Sequence, residues 1–222
     1  MKKFASTAVV VAAALALASG PAQAQYAIQN TGAPVYPTSG WVSPTFYGTA
    51  YPSGFAVGTD AAANRPAVRR PDGSVVYPPN TGATALALSC LSADGSWCAG
   101  VLTLGNADKH VFRWELPSPA NGFAESWQMF PAAAYGFTYL TPSAVASDGT
   151  MVVTSNDYTV GVFRPDMQLR TFPVRYGPLA PAWCLTSCRS IEPNGDGTYT
   201  ALGVGTLGYS VAGFALTGPL PN

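Results

Sequence analysis

The fold of this chain is decided by the stretch Ser92–Trp97 (SADGSW) and by Val111–Trp114 (VFRW), which follows it. These residues predict a tight Asp-Gly turn, an apolar strand, a loop and a strand centred on Phe112, because Gly adopts a positive φ without a Cβ clash. Later copies of the plan are Ala146–Met151 (ASDGTM) with Val162–Pro165 (VFRP), and Asn194–Tyr199 (NGDGTY) with Gly213–Leu216 (GFAL). Their central residues Phe112, Phe163 and Phe214 are spaced 51 residues apart.

A repeat of about 50 residues with four strands has the size of a propeller blade. A degenerate first copy is read at Ser39–Val42, leading to Gly54–Val57 around Phe55. In the second unit we expect strands near Thr84–Leu91, Ser96–Leu104, His110–Leu116 and Glu125–Phe130. We therefore predict an all-β protein, a small propeller-like array of about four antiparallel β units, with an irregular β-sandwich as the alternative. The three spaced Phe residues should be buried on corresponding strands, since a unit of this size must pack on its neighbours.

The residues S-A-D-G-S-x-x-A-G of Ser92–Gly100, followed by Val111–Trp114, resemble the HAF-type repeat of bacterial extracellular proteins. The resemblance is weaker around Asp148–Arg164. It is weakest in the last copy, where Gly-Phe-Ala-Leu replaces the Phe-Arg-Trp pattern. It implies a secreted β-repeat architecture, and it implies no catalytic or ligand-binding residue.

The first 24 residues have the three parts of a secretory signal peptide. Lys2 and Lys3 form a positive start, and Ala8–Ala18 is an apolar run too short for a bilayer, which needs about 20 residues. A small-x-small cleavage site follows at Ala22–Ala24. We therefore expect a signal peptide (1–24), an N-terminal arm or closing strand (25–39) and a repetitive all-β domain (40–222). The expected location is secreted or periplasmic.

The charge of the chain does not favour binding to nucleic acid. Without the signal peptide the chain has nine basic and 11 acidic residues, and its only lysine is Lys109. No basic stripe is present for a phosphate backbone, so nucleic acid is not an expected partner. No later apolar run reaches the length of a membrane span, so none is predicted.

Four cysteines in an exported chain predict two structural disulfides, with three pairings open. Cys90 and Cys98 flank the Asp94-Gly95 turn and are expected to face each other across a hairpin, which leaves Cys184 and Cys188 as the second pair. No free thiol is then expected. The C-x-x-x-C spacing is not that of a redox motif, and a single histidine offers few metal ligands, so we predict neither a cofactor nor a metal site.

The single histidine is His110, which lies two residues after Asp108. Together with a carboxylate such as Asp108 or Asp157 it is the weak candidate for a general base. No G-x-S-x-G nucleophile motif accompanies it. We therefore predict no catalytic residue, and a secreted hydrolase or lyase that uses His110 with a nearby carboxylate is the alternative function.

Aromatic residues give the leading functional hypothesis. Three tyrosines precede Phe55, Phe163 and Phe214 by four or five residues, and in a propeller their loops would share one face with the connections between blades. The aromatic residues expected on this face are Tyr51, Tyr135, Tyr158, Tyr176, Trp183 and Tyr209. Aromatic faces stack on sugar rings and hold peptides. The hypothesis is an exported, non-catalytic binding or structural module that recognises a glycan, a peptide or a partner protein.

Overall fold

The computed structural model describes residues 27–32, 39–123, 126–156, 159–164, 166, 168–171, 175–176, 183–207 and 210–220, with the backbone alone for 175–176 and 183–184. These residues form 18 β-strands and two 3₁₀ turns, Pro119–Asn121 and Ala132–Tyr135. In these ranges there is no α-helix, and no helix is long and apolar enough to cross a membrane. The signal peptide expected at 1–24 lies outside them.

The strands form four antiparallel sheets, which confirms the predicted all-β class with about four antiparallel units. In spatial order the first sheet contains β2 (Ser39–Ser43), β3 (Phe46–Ala50), β4 (Ala56–Asp60), β5 (Arg65–Arg69) and β6 (Val75–Val76). The second contains β10 (Ser126–Pro131), β9 (Lys109–Glu115), β8 (Trp97–Thr103) and β7 (Ala85–Leu91). The third contains β11 (Leu140–Val145), β12 (Met151–Ser155), β13 (Val160–Phe163) and β14 (Leu169–Thr171). The fourth contains β1 (Ala27–Gly32), β18 (Ser210–Pro219), β17 (Thr198–Leu207), β16 (Trp183–Pro193) and β15 (Arg175–Tyr176).

Asp-Gly turns join β7 to β8, β11 to β12 and β16 to β17. Their glycines Gly95, Gly149 and Gly197 have φ angles of +75°, +82° and +83°, where a side chain would be strained. In each turn the aspartate Oδ1 accepts a hydrogen bond from the backbone N–H two residues later, at 2.9–3.0 Å. This local bond explains why Asp and a following Gly recur at these positions.

Phe112, Phe163 and Phe214 lie on β9, β13 and β18, in each case the second strand after the Asp-Gly turn. Their side chains are 0%, 0% and 2% exposed, so the predicted strand and burial are confirmed. The register differs, because Phe112 and Phe214 lie opposite glycines whereas Phe163 lies opposite Met151, closer to its turn.

Phe55 does not follow the predicted pattern. It lies in a turn before β4, closed by the Tyr51 N–H donating to the Phe55 carbonyl at 2.8 Å. Its ring covers Gly95 of the second sheet, so close that a Cβ on that glycine would lie 2.4 Å from it. The first copy expected around a Phe55 strand is therefore wrong. Spacing alone could not show that β2 is an additional edge strand.

Three apolar cores join successive sheets. Phe112 belongs to the core between the first and second sheets, Phe163 to that between the second and third, and Phe214 to that between the third and fourth. Each Phe therefore faces the preceding sheet. Within the described ranges a closed propeller is not found, and the succession of packed sheets fits the irregular β-sandwich alternative. Residues 27–32, in the segment expected to be an arm or closing strand, pair with β18.

The expected disulfide between Cys90 and Cys98 is wrong. Cys98 lies opposite Leu91, and Cys90 lies opposite Ala99, so the two cysteines are offset by one residue. Because side chains alternate between the faces of a strand, Cys90 packs toward the third sheet and Cys98 toward the first. Cys188 is also a free, buried thiol, and the side chain of Cys184 lies outside the described residues. The expectation of no free thiol is thus contradicted.

The buried thiols should be masked in the native protein. Burial raises the pKa of Cys90, Cys98 and Cys188, the last to about 12. We expect no reaction with a thiol reagent at about pH 8, and at least three reactive thiols after unfolding in denaturant. Because the thiol pKa is raised in the folded state, ionising the thiols costs more there than in the unfolded chain. The free energy of unfolding is therefore unaffected by thiol ionisation below the ordinary thiol pKa of 9.0, and it falls as the pH rises above that value. Fewer than three thiols in denaturant would contradict the free state of these residues.

Candidate binding site between the first two sheets

A cavity lies beside β5, where prolines interrupt the strand pairing. The β5–β6 pairing covers only two residue pairs, Val68 with Val76 and Arg69 with Val75. Beyond them Pro66 lies on β5 and Pro78 and Pro79 follow β6, and proline has no N–H to donate to a ladder. The chain leaves the sheet here and lines an open cavity of about 460 Å³. It is lined by Arg65 and Pro66, by Pro78–Thr81, and by Ala83 and Leu86 next to and on the second sheet.

Arg65 belongs to a polar cluster with Asp60 and Tyr77. Asp60 and Arg65 lie opposite each other on β4 and β5. The Tyr77 hydroxyl donates a hydrogen bond to Asp60 Oδ2, and the Ala62 N–H donates to Oδ1 at 3.0 Å. The Tyr77 bond holds the pKa of Asp60 below its ordinary value and raises the pKa of Tyr77. The Arg65 guanidinium lies 4.6 Å from the centroid of the Tyr77 ring, so the anchored ring holds it in place.

An exposed aromatic pair lies on the other face of the first sheet, which packs against the second sheet. Trp41, Tyr47, Thr59 and Pro66 are directly opposite one another across β2, β3, β4 and β5, and we call these four residues the cross-strand row. Opposite residues of antiparallel strands share a face, so the row runs from Trp41 to the cavity edge at Pro66. Trp41 is 67% and Tyr47 47% exposed, with ring centroids 5.7 Å apart in an edge-to-face arrangement.

The second sheet covers only part of the face that carries the cross-strand row. Val57 and Val68, two residues along from Thr59 and Pro66, pack against the second sheet. Trp41 and Tyr47 extend beyond that contact toward the edge strand β2. Large exposed aromatic side chains beside a cavity mark a binding surface more often than isolated exposed apolar residues do.

The predicted catalytic candidates are not brought together. His110 Nδ1 lies 3.4 Å from the backbone carbonyl of Asp108, whereas the Asp108 carboxylate accepts a hydrogen bond from Asn106. Among the described side chains we find no hydrogen bond between His110 and a carboxylate. Asp157 lies outside the described residues. No group of three or more His, Cys, Asp or Glu side chains in the described part of the chain is placed to hold a metal ion.

The predicted aromatic face is not seen for the two of its residues whose side chains are described. The Tyr51 hydroxyl accepts a hydrogen bond from the Leu91 N–H at 3.1 Å, in the core between the first and second sheets, where burial raises its pKa. Tyr135 packs on Phe163 at 5.1 Å, in the next core. Tyr158 and Tyr209 lie outside the described residues, as do the side chains of Tyr176 and Trp183.

Sequence reasoning missed Trp41, Tyr47, Arg65 and the segment Pro78–Thr81. The Arg65-Pro66 and Pro78-Pro79 pairs, in a region otherwise typical of strands, were the available signal, because clustered prolines predict interrupted pairing. No protein family, curated protein or solved structure matches this chain. The function is therefore argued from the site itself.

Proposed function

We propose that this chain is an exported, non-catalytic binding module that recognises a glycan through the cross-strand row and the adjoining cavity. The signal-peptide anatomy of residues 1–24 supports export. The absence of a hydrogen bond between the described His110 and a carboxylate gives the hydrolase or lyase alternative no comparable support.

The exposed Trp41–Tyr47 pair is the observation that carries this proposal. Sugar rings present flat C–H faces that stack on aromatic side chains, while their hydroxyl groups need polar partners. Both are available here, because the row ends at a cavity lined by Arg65, Asn80 and Thr81 as well as prolines. The cavity volume of about 460 Å³ lies within the range of roughly 300–1,000 Å³ found for ligand sites. The prolines hold this wall rigid, which lowers the entropy cost of binding.

An arginine contact recurs between successive sheets. Arg70 donates to the Pro117 carbonyl, Arg113 to that of Arg164 at 3.0 Å, and Arg164 to that of Leu220 at 3.3 Å. Each bond joins one sheet to a carbonyl that follows the Phe-bearing strand of the next sheet. The same kind of bond, from an arginine to a backbone carbonyl of the next sheet, thus recurs at three successive interfaces, although the acceptor lies at a different distance from the Phe in each.

Removing the aromatic surface should weaken glycan binding. We expect Trp41→Ala to lower affinity about tenfold, since an aromatic contact contributes about 0.5–1.5 kcal/mol beyond its buried area. The measurement is a glycan array with the chain from Gln25 onward, followed by calorimetric titration of the best ligand. Phe123→Ala is the matched control, because Phe123 is also 67% exposed but lies outside the site.

Two results would contradict the proposal. One is an array on which no glycan binds above background. The other is equal loss of affinity in Trp41→Ala and Phe123→Ala, which would show a nonspecific apolar effect. Binding of a peptide instead of a glycan to the same Trp41-dependent surface would also overturn the glycan assignment.

A further inference from the structure

The cross-strand row spans three strand spacings of the first sheet. It takes one residue from each of β2, β3, β4 and β5. Paired strands lie about 4.8 Å apart, so the β2 end of the row is about 14 Å from its β5 end. This span is longer than one sugar ring. A glycan that contacts Trp41 and reaches the cavity at Pro66 is therefore a chain of several sugar units.

The two aromatic rings of the row do not share a plane. The Trp41 and Tyr47 rings are inclined to each other by 76°, with their centroids 5.7 Å apart. A sugar stacks with its C–H face parallel to an aromatic ring. Two sugars that stack on these two rings must therefore be steeply inclined to each other.

The backbone of the first sheet adds to this change of direction. Adjacent strands of a sheet are rotated by roughly 20–25° on average, so the side-chain direction turns by about 60–75° over the three spacings of the row. The row also descends, because its two large rings are followed by the small, half-buried side chains of Thr59 and Pro66. The row is thus a twisted surface whose low end opens into the cavity.

We infer that the glycan bound at this site is a curved, helical chain and not a flat ribbon. This inference rests on the proposed glycan-binding function. In a flat ribbon of the cellulose type, successive sugar rings lie near one plane, so the chain can stack on only one of the two inclined rings. In a helical chain of the amylose type, successive sugars turn relative to each other. Such a chain can contact both Trp41 and Tyr47 and continue along the twisted row to Pro66.

The test compares hexasaccharides of one sugar that differ in linkage alone. The probes are maltohexaose and laminarihexaose, whose chains are helical, and cellohexaose, whose chain is a flat ribbon. Each is titrated by calorimetry into the chain from Gln25 onward. We expect a helical chain to bind about 3–10-fold more tightly than cellohexaose, the effect of one additional aromatic contact. Affinity should also rise from the disaccharide to the tetrasaccharide of the preferred linkage, because only the longer chain spans the row.

Loss of one ring should remove this selectivity. Tyr47→Ala leaves a single aromatic plane at Trp41, on which either kind of chain can stack. We therefore expect the ratio of the affinities for the helical and flat chains to fall to about one. Tyr139→Ala is the matched control, since Tyr139 has a similar exposure, 42% against 47%, and lies just before β11 of the third sheet. The control variant should keep the ratio.

The outcomes separate this inference from the function on which it rests. Equal or tighter binding of cellohexaose would overturn the helical ligand and leave a Trp41-dependent glycan site intact. If no glucan binds, the best ligand on the glycan array decides, and a flat ribbon such as a chito-oligosaccharide would overturn the inference in the same way. A preference that persists in Tyr47→Ala would also overturn it, because the inclined rings would not be its cause. If the array is empty, the proposed function itself fails.

Discussion

Truncation of Phe112 to Ala should lower the free energy of unfolding by about 3–5 kcal/mol, the range for a fully buried Phe. The Phe112 side chain has no exposed surface, and its ring stacks on Trp127 at 4.4 Å. It fills the core shared by the first and second sheets, so truncation leaves a cavity that neither sheet can close alone. This loss is a large part of the roughly 5–15 kcal/mol that stabilises a domain. Urea unfolding followed by far-ultraviolet circular dichroism measures it.

Adding a side chain at Gly100, which lies opposite Phe112, should also destabilise the protein. A Cβ at Gly100 would lie 2.2 Å from the Ala87 carbonyl oxygen and 2.8 Å from the Phe112 ring. Gly100→Ala should therefore cost about 1–3 kcal/mol by overpacking, although Ala otherwise favours a strand over Gly. Gly105→Ala is the control, because a Cβ there has no atom within 4 Å. Equal stability of the two variants would contradict the close packing of Phe112 on Gly100.

Replacement of Arg113 by Met should cost about 3 kcal/mol, because hydrogen bonds to charged groups contribute about 1.5–3 kcal/mol each. The Arg113 side chain is 2% exposed, and its Nη1 donates to the carbonyls of Gly149 at 2.7 Å and Arg164 at 3.0 Å. Met keeps an unbranched apolar chain of similar width but removes the donors, so both carbonyls lose a partner at the interface with the third sheet. Burial lowers the pKa of Arg113, and the charges of Asp148 and Asp166 oppose that shift.

The Arg113 guanidinium lies near two aromatic rings. The guanidinium lies 5.7 Å from the Trp97 ring centroid and 5.6 Å from that of Phe130. Arg170→Met is the control, since Arg170 is exposed and bonds to the exposed Gln168, so its loss should cost less than about 0.5 kcal/mol. Equal midpoints of urea unfolding for the two variants would show that Arg113 does not join the second and third sheets.

The strands of the second sheet could be predicted closely from local patterns. Expected strands at 84–91, 96–104 and 110–116 compare with observed strands at 85–91, 97–103 and 109–115. The Asp94-Gly95 turn has a local cause, since Asp94 bonds to Ser96 and Gly95 adopts a positive φ. Each of these features depends on residues close together in the chain, so the residues alone determine them.

The cysteine pairing could not be predicted because it depends on register. A turn centred on the Asp94-Gly95 peptide places Leu91, not Cys90, opposite Cys98. One residue of error in the centre of a turn moves a side chain to the opposite face of a sheet. The wrong prediction for Cys90 and Cys98 arises from this single step.

The amino-acid sequence by itself determined the all-β class, the Asp-Gly turns and the burial of Phe112, Phe163 and Phe214, because these follow from local backbone chemistry and from the apolar pattern of each strand. Only the tertiary structure decided which face each cysteine occupies and which residues form a site. Trp41 and Pro66 are 25 residues apart in the chain. They share one face because four strands in register bring Trp41, Tyr47, Thr59 and Pro66 into one row, and pairing across a sheet is a long-range contact that no local pattern specifies.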